Sequence, residues 1–154
     1  MRIGLVSDSH GDIQALRDAF RQSESVDMWL HAGDYYEDAE VLRQLTDVPV
    51  IAVQGNCDWP GSETSEERII EPAGQRILLT HGHLYNVRTN DSAFILAEPA
   101  KARQAGIVVF GHTHFPYKEI HDGILILNPG SAAASRDGRG NSFMVLELGA
   151  EKEI

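Results

Sequence analysis

Seven side chains of metal-binding type occur in short polar blocks along this sequence: Asp8-x-His10, Gly33-Asp34, Gly55-Asn56, His81 and Gly111-His112-x-His114. Imidazole and carboxylate together suit Mn, Fe, Zn or Ni better than Ca or Mg. The donors exceed what one tetrahedral ion needs and suit two ions sharing a bridge, a place that Asp34 can fill. Two ions about 3.5–4 Å apart clamp the attacking and leaving oxygens of a phosphoryl group in line. Taken singly, each block has a plainer reading. Asp8 and His10 can belong to a loop's own capping set, and Gly33-Asp34 can be only a turn. Their joint recurrence favours ligation.

The elements that must position these residues are apolar runs ending at each block. Strands are expected at Ile3–Ser7, Met28–His31, Val50–Gln54, Arg68–Glu71, Arg76–Thr80, Ile107–Phe110, Ile124–Leu127 and Phe143–Leu148. Ile13, Leu16, Ala19 and Phe20 share one helical face, and Ala39, Leu42 and Leu45 share another. Ala93 to Ala105 reads as a third helix whose first part ends at Pro99. The order predicts an α/β domain with packed sheets. Polar groups just past the carboxyl ends of its strands mark a ligand site.

The blocks, in this order and each after a strand, resemble the signature of the calcineurin-like metallophosphoesterases, over nearly the whole chain. Asp8-Ser9-His10-Gly11 and Gly55-Asn56-Cys57-Asp58 resemble the small bacterial and archaeal phosphodiesterase subgroup. The resemblance implies a four-layer αββα sandwich, two packed mixed sheets flanked by helices, with a dinuclear site at one edge. It implies that Asp8, His10 and His114 hold one divalent ion, that Asn56, His81 and His112 hold the other, and that Asp34 bridges them. Manganese is the first expectation for both ions, with nickel, iron or zinc also suited. A bridging hydroxide then attacks the phosphorus of a small phosphodiester, with Asp34 and Asn56 among the catalytic residues. The alternatives are a nucleotide phosphatase or pyrophosphatase and, in a different class, a non-catalytic interaction scaffold like a retromer subunit of the same fold. Family members often self-associate, so a homo-oligomer is also implied.

Cys57 follows the Asn ligand, where many relatives carry a histidine that protonates the leaving group. A thiol beside two cations tends toward thiolate, which cannot donate a proton. Cys57 therefore reads as a bystander shaping the pocket, with Asp58 and Ser131 as further pocket candidates. His83, two residues past His81, is the best remaining acid. Tyr35-Tyr36 and Trp59-Pro60 can line a substrate groove or simply pack. Asn128-Pro129-Gly130-Ser131 reads equally as a structural turn, His31 as a packed histidine, and His121 as part of a hairpin at Asp122-Gly123.

Composition bounds the rest. The 154 residues are 42% hydrophobic and fit one domain spanning 1–154. No run approaches the ~20 apolar residues of a membrane span. The opening residues read as a strand rather than a signal peptide, and a single cysteine excludes an internal disulfide framework. The expectation is a cytoplasmic protein. The net charge of -10, with Arg136 and Arg139 the densest basic cluster, excludes the basic face that duplex nucleic acid requires.

Overall fold

Alternation along the first strand sets the layering. The computed structural model describes residues 1–59, 64–136 and 138–149. In chain order the elements are β1 (Arg2–Val6), α1 (Ile13–Gln22), β2 (Met28–His31), α2 (Ala39–Leu45), β3 (Val50–Ala52), β4 (Glu67–Ile70), β5 (Ile77–Thr80), α3 (Ala97–Ala102), β6 (Ile107–Val109), β7 (Pro116–His121), β8 (Ile124–Pro129) and β9 (Met144–Glu147), with short 3-10 turns between them. They form two mixed sheets, ordered β3-β2-β1-β9 and β4-β5-β6-β8-β7. The pairs β1–β2, β2–β3, β5–β6 and β6–β8 are parallel.

Successive residues of a strand face opposite sides, so each sheet feeds two cores. Ile3 and Leu5 of β1 and Leu30 of β2 meet Ile77 and Leu79 of β5 and Val109 of β6 between the sheets. Val6 and Trp29, on the other side of the first sheet, pack with Leu16 of α1 and Leu42 of α2. Leu78, Val108 and Ile126, on the outer side of the second sheet, pack with Leu96, Ala97 and Ala100. The result is the expected helix–sheet–sheet–helix layering.

Three local expectations are modified. β7 was not expected as a strand, because its outward residues, Lys118 and Glu119 among them, leave no apolar alternation. It is an edge strand held by pairing with β8 through the turn at Asp122-Gly123, both with positive φ. The helix expected from Ala93 is a 3-10 turn over Asn90–Leu96 that runs into α3. Pro99 sits in the first turn of α3, where an N–H has no intrahelical acceptor, so it does not end the element. Ile13 is 45% exposed and lies off the buried face of α1, while Asp12 caps that helix by accepting from the Ala15 N–H at 3.0 Å.

Gly4 lies opposite Trp29 in the sheet register. A Cβ at Gly4 would come 2.4 Å from the indole. Gly4→Ala should therefore overpack the helix-facing core and lower the unfolding free energy by about 1–3 kcal/mol. Urea denaturation checks this; an unchanged midpoint would mean the indole shifts freely.

Candidate metal centre

Every donor block falls where the fold gathers strand ends. Asp8 and His10 follow β1, Asp34 follows β2 and Asn56 follows β3, all from the first sheet. His81 follows β5, and His112 and His114 follow β6, from the second. The Nε2 of His114 lies 3.1 Å from Asp8 Oδ1 and 3.3 Å from the Nε2 of His10. His10 Nε2 is 3.8 Å from Asp34 Oδ2. One donor atom from each of Asp8, His10, Asp34 and His114 falls within 4.8 Å of the others. On the other flank of Asp34, His81 Nε2 is 3.4 Å from Asp34 Oδ1 and 3.1 Å from Asn56 Oδ1. The His81 and His112 rings lie 5.0 Å apart.

The hydrogen bonds behind these groups set which atoms face inward. His81 Nδ1 donates to the Ala32 carbonyl at 2.7 Å, and His114 Nδ1 donates to the Ala134 carbonyl at 2.8 Å. A carbonyl can only accept, so in the neutral ring the Nε2 lone pair points into the cluster. Asp8 Oδ2 accepts from the Ser7 hydroxyl at 2.6 Å and the His112 N–H at 3.1 Å. Asp8 Oδ1 is buried and accepts no hydrogen bond among the described residues. Acceptors thus face acceptors, and either a proton or a cation must stand between them. Divalent ions fit this donor set.

The charges agree. Burial pushes the Asp8 carboxyl up, but His114, His81 and Ser7 outweigh it and hold it below the usual range. Burial acts the same way on Asp34, and His81 and the Cys57 N–H overcome it, holding that carboxyl well below the usual range. His114 is raised by its contact with Asp8. Burial lowers His81, yet Asp34 and Asp8 leave it raised overall. Burial and the charge of His81 lower His112. In the ion-free chain the carboxylates favour the protonated forms of His81 and His114, so an incoming cation competes with protons there.

The close approach requires glycine at two points. A Cβ at Gly55 would lie 2.1 Å from Asp34 Oδ1, and one at Gly111 would lie 2.0 Å from Ser7 Oγ and 2.7 Å from Asp8 Oδ2. The backbone is also held in the left-handed region at Asp8, His10, Asp34, His112 and His114, with φ between 46° and 69°. Such residues persist only where their surroundings over-determine them, and they cluster at functional sites.

The remaining candidates divide. Cys57 is exposed beside the cluster, and its N–H donates to Asp34 Oδ1 at 2.9 Å. Desolvation and the Asp34, Asp58 and Asp8 carboxylates push its thiol up to about 11 in the ion-free chain. Asp58 accepts from the Tyr36 and Gly55 N–H groups at 3.1 and 2.7 Å, tying two ligand loops together. Ser131 is buried; its hydroxyl donates to the Asp8 carbonyl at 2.8 Å and accepts from the Ala134 N–H at 2.7 Å. The His83 ring lies 5.5 Å from that of His81 and 6.4 Å from that of His112, with Nε2 3.8 Å from Glu66. Burial and the charge of His81 lower it. Arg136 is exposed, and its charge reaches His114. Pro60 lies outside the described residues.

Sequence reasoning did not single out Ser7, Thr113 or the Ala134 carbonyl. Ser7 adjoins a ligand, and Thr113 lies between two. Asn128, buried in the segment left open above, donates to the Gly111 carbonyl at 2.8 Å and to Thr113 Oγ1 at 3.1 Å, propping the His112 loop. A backbone carbonyl leaves no mark in a sequence.

His31 is fully buried and packed, as expected. The Gly33 N–H donates to His31 Nδ1 at 3.2 Å, so Nε2 carries the proton toward Ser9 Oγ at 2.9 Å. Burial lowers the His31 pKa to about 4. The unfolded histidine protonates near 6.5, so the unfolded chain binds more protons between these values. Stability present above pH 6.5 is lost as pH falls toward 4, by about 3 kcal/mol from this residue. Urea unfolding of the metal-free protein across that window should show the slope, and His31→Gln should flatten it.

Comparison with known proteins agrees with this geometry. The calcineurin-like phosphoesterase superfamily domain matches residues 1–151. The phosphodiesterase YfcE of Escherichia coli K12 is 30% identical over 174 residues, covering 96% of this chain and 88% of that protein. A Streptococcus pneumoniae TIGR4 structure described as a predicted phosphoesterase superposes with a TM-score of 0.79 at 30% identity, covering 96% of this chain and 83% of its own. Vps29 of Entamoeba histolytica complexed with zinc superposes with a TM-score of 0.77 at 25% identity, covering 98% and 88%. With its matched profile spanning nearly the whole chain and its donors gathered at the strand ends, this chain belongs to the calcineurin-like phosphoesterase superfamily.

Proposed function

We propose that the chain is a metal-dependent phosphodiesterase that uses two divalent ions, manganese first among them, to hydrolyse a small phosphodiester in the cytoplasm. The observation that carries this reading is the buried, unsatisfied Asp8 Oδ1 amid converging imidazole nitrogens. An oxygen so placed needs a proton or a cation beside it, and the donors gathered around it suit a cation. In this reading Asp8, His10 and His114 would hold one ion and Asn56, His81 and His112 the other, with Asp34 placed between the two sets. Bound divalent ions supply Lewis acidity and make water a nucleophile near neutral pH.

The chain's own residues then orient and protonate. Ser7 and the His112 N–H fix the Asp8 carboxylate, and the Ala32 and Ala134 carbonyls fix the His81 and His114 rings. His83 is the proton donor nearest the His81–His112 flank. Burial and the charge of His81 hold it below its ordinary value, so it is protonated less than a free imidazole and helps the leaving group less. Cys57 shapes the pocket and does no chemistry. The scaffold reading is suggested by the fold shared with Vps29, one of which is itself complexed with zinc, so turnover rather than metal binding decides between the two.

Two outcomes test the proposal. Protein stripped of metal and resupplied with Mn, Ni, Zn or Mg should regain hydrolysis of bis(p-nitrophenyl) phosphate, and Asp34→Asn and His112→Ala should each lose it by about a hundredfold or more. No turnover with any ion, despite bound metal, would favour the scaffold. Across a series of diesters, rates should fall steeply as the leaving group becomes less acidic, with aryl far above alkyl, and Cys57→Ala should keep most of its aryl-ester turnover. Comparable rates across the series would assign an efficient acid, and metal-loaded but inactive Cys57→Ala would make the thiol catalytic.

A further inference from the structure

His112 and His114 stand two positions apart in the loop after β6, yet they serve opposite flanks of Asp34. His114 Nε2 lies 3.1 Å from Asp8 Oδ1, and the His112 ring lies 5.0 Å from that of His81. Both hold left-handed backbone, with φ 69° at His112 and 65° at His114. Such backbone persists only where its surroundings over-determine it. Thr113, between them, is buried, and its hydroxyl bonds none of the candidate ligands among the described residues.

The bonds of that hydroxyl are fixed in direction. The Gly130 N–H donates to Asn128 Oδ1 at 2.8 Å, which turns Asn128 Nδ2 toward the Gly111 carbonyl at 2.8 Å and Thr113 Oγ1 at 3.1 Å. Thr113 Oγ1 therefore accepts from Asn128, and its own proton goes to Asn90 Oδ1 at 2.8 Å. Asn90 Nδ2 faces the Phe115 and Pro116 carbonyls at 3.4 and 3.3 Å, which can only accept. The Phe115 N–H donates back to Thr113 Oγ1 at 3.4 Å. The bonds thus run from β8, through the loop, to the 3-10 turn at Asn90–Leu96, and they grip the loop both before His112 and after His114. Valine would fill the same space but would leave the Asn128 N–H and the Asn90 oxygen without partners.

We propose that Thr113 is a positioning residue: its hydroxyl, clamped between Asn128 and Asn90, keeps the His112 and His114 imidazoles on opposite flanks of Asp34, so that each flank can take its own divalent ion. Without the hydroxyl, the loop would relax toward ordinary backbone and carry both rings away from their partners.

The positioning role rests on the two-ion reading above, and its readouts do not need turnover. Metal-free protein is titrated with manganese and followed by equilibrium dialysis and by EPR, in which two bridged Mn(II) ions give a coupled-pair signal distinct from that of lone ions. The unaltered chain should bind two ions and show the pair signal. Thr113→Val should bind manganese about ten- to hundredfold more weakly and lose the pair signal. Thr113→Ser keeps the hydroxyl and should restore both. Asn90→Ala removes only the half-buried outer anchor and should weaken binding by a smaller factor, which keeps the test decisive if Thr113→Val does not fold. Ile126→Val trims a fully buried residue on the same strand as Asn128 and controls for stability alone. Its manganese affinity should be unchanged. Thr113→Val with full affinity and an intact pair signal would overturn the proposal. So would Thr113→Ser as weak as Thr113→Val, Ile126→Val as weak as either, or an unaltered chain that takes up a single ion. If Thr113→Val loses a pair signal that the unaltered chain shows, yet no ester is hydrolysed, the positioning role stands and the phosphodiesterase reading fails. If both hydrolyse bis(p-nitrophenyl) phosphate alike with the pair signal intact, the phosphodiesterase reading stands and the positioning role fails.

Discussion

One oxygen of Asp8 sets the terms for the rest of this molecule. It is sealed from water, accepts no hydrogen bond among the described residues, and faces the Nε2 atoms of His114, His10 and His81 at 3.1, 3.9 and 3.9 Å. An anion so desolvated costs several kcal/mol unless positive charge approaches it. The surrounding structure is organised to hold it there. Ser7 and the His112 amide grip its other oxygen, Ser131 grips its carbonyl, and a bare Gly111 gives it room. Five ligand candidates adopt a backbone conformation that costs an ordinary residue about 1 kcal/mol or more. A fold selected for stability alone would not collect these features in one place.

The arrangement divides labour between rigid and open parts. Buried groups do the holding: His81, Asp8 and Asp34 have their second atoms tied to backbone or to a neighbouring hydroxyl. Exposed groups surround the reacting space: Asn56, Cys57, Tyr35 and Trp59. Where a strong acid would be useful, the chain offers a thiol hemmed in by carboxylates and a histidine lowered by burial. In the proposed reaction the chemistry would therefore lean on electrostatics at phosphorus rather than on proton donation.

Much of the layering could be read from the unbroken apolar runs of β1, β5, β6 and β8, whose two faces are both apolar. β7 could not, because an edge strand owes its form to a partner rather than to burial. Pro99 misled for a local reason: a rule about helix interiors was applied to a first turn. The donor blocks stood out because aspartate, asparagine and histidine after an apolar run are rare unless used. Thr113 carried no such mark, and the Asn128–Ser131 block read equally as a turn. Their part lies in contacts made across long sequence distances, such as Ser131 to the Asp8 carbonyl, which only the folded chain reveals.

The donors come from both sheets: Asp8, His10, Asp34 and Asn56 from one, His81, His112 and His114 from the other. An ion held between them is also a staple across the sandwich. Any ligand that binds only the folded chain stabilises it by mass action, by about 4 kcal/mol at a thousandfold excess over its dissociation constant. A chain made when metal is scarce would thus be idle and also short-lived, because the unstapled sheets open more often to proteases. The cell's metal supply would then set the abundance of this protein as well as its activity.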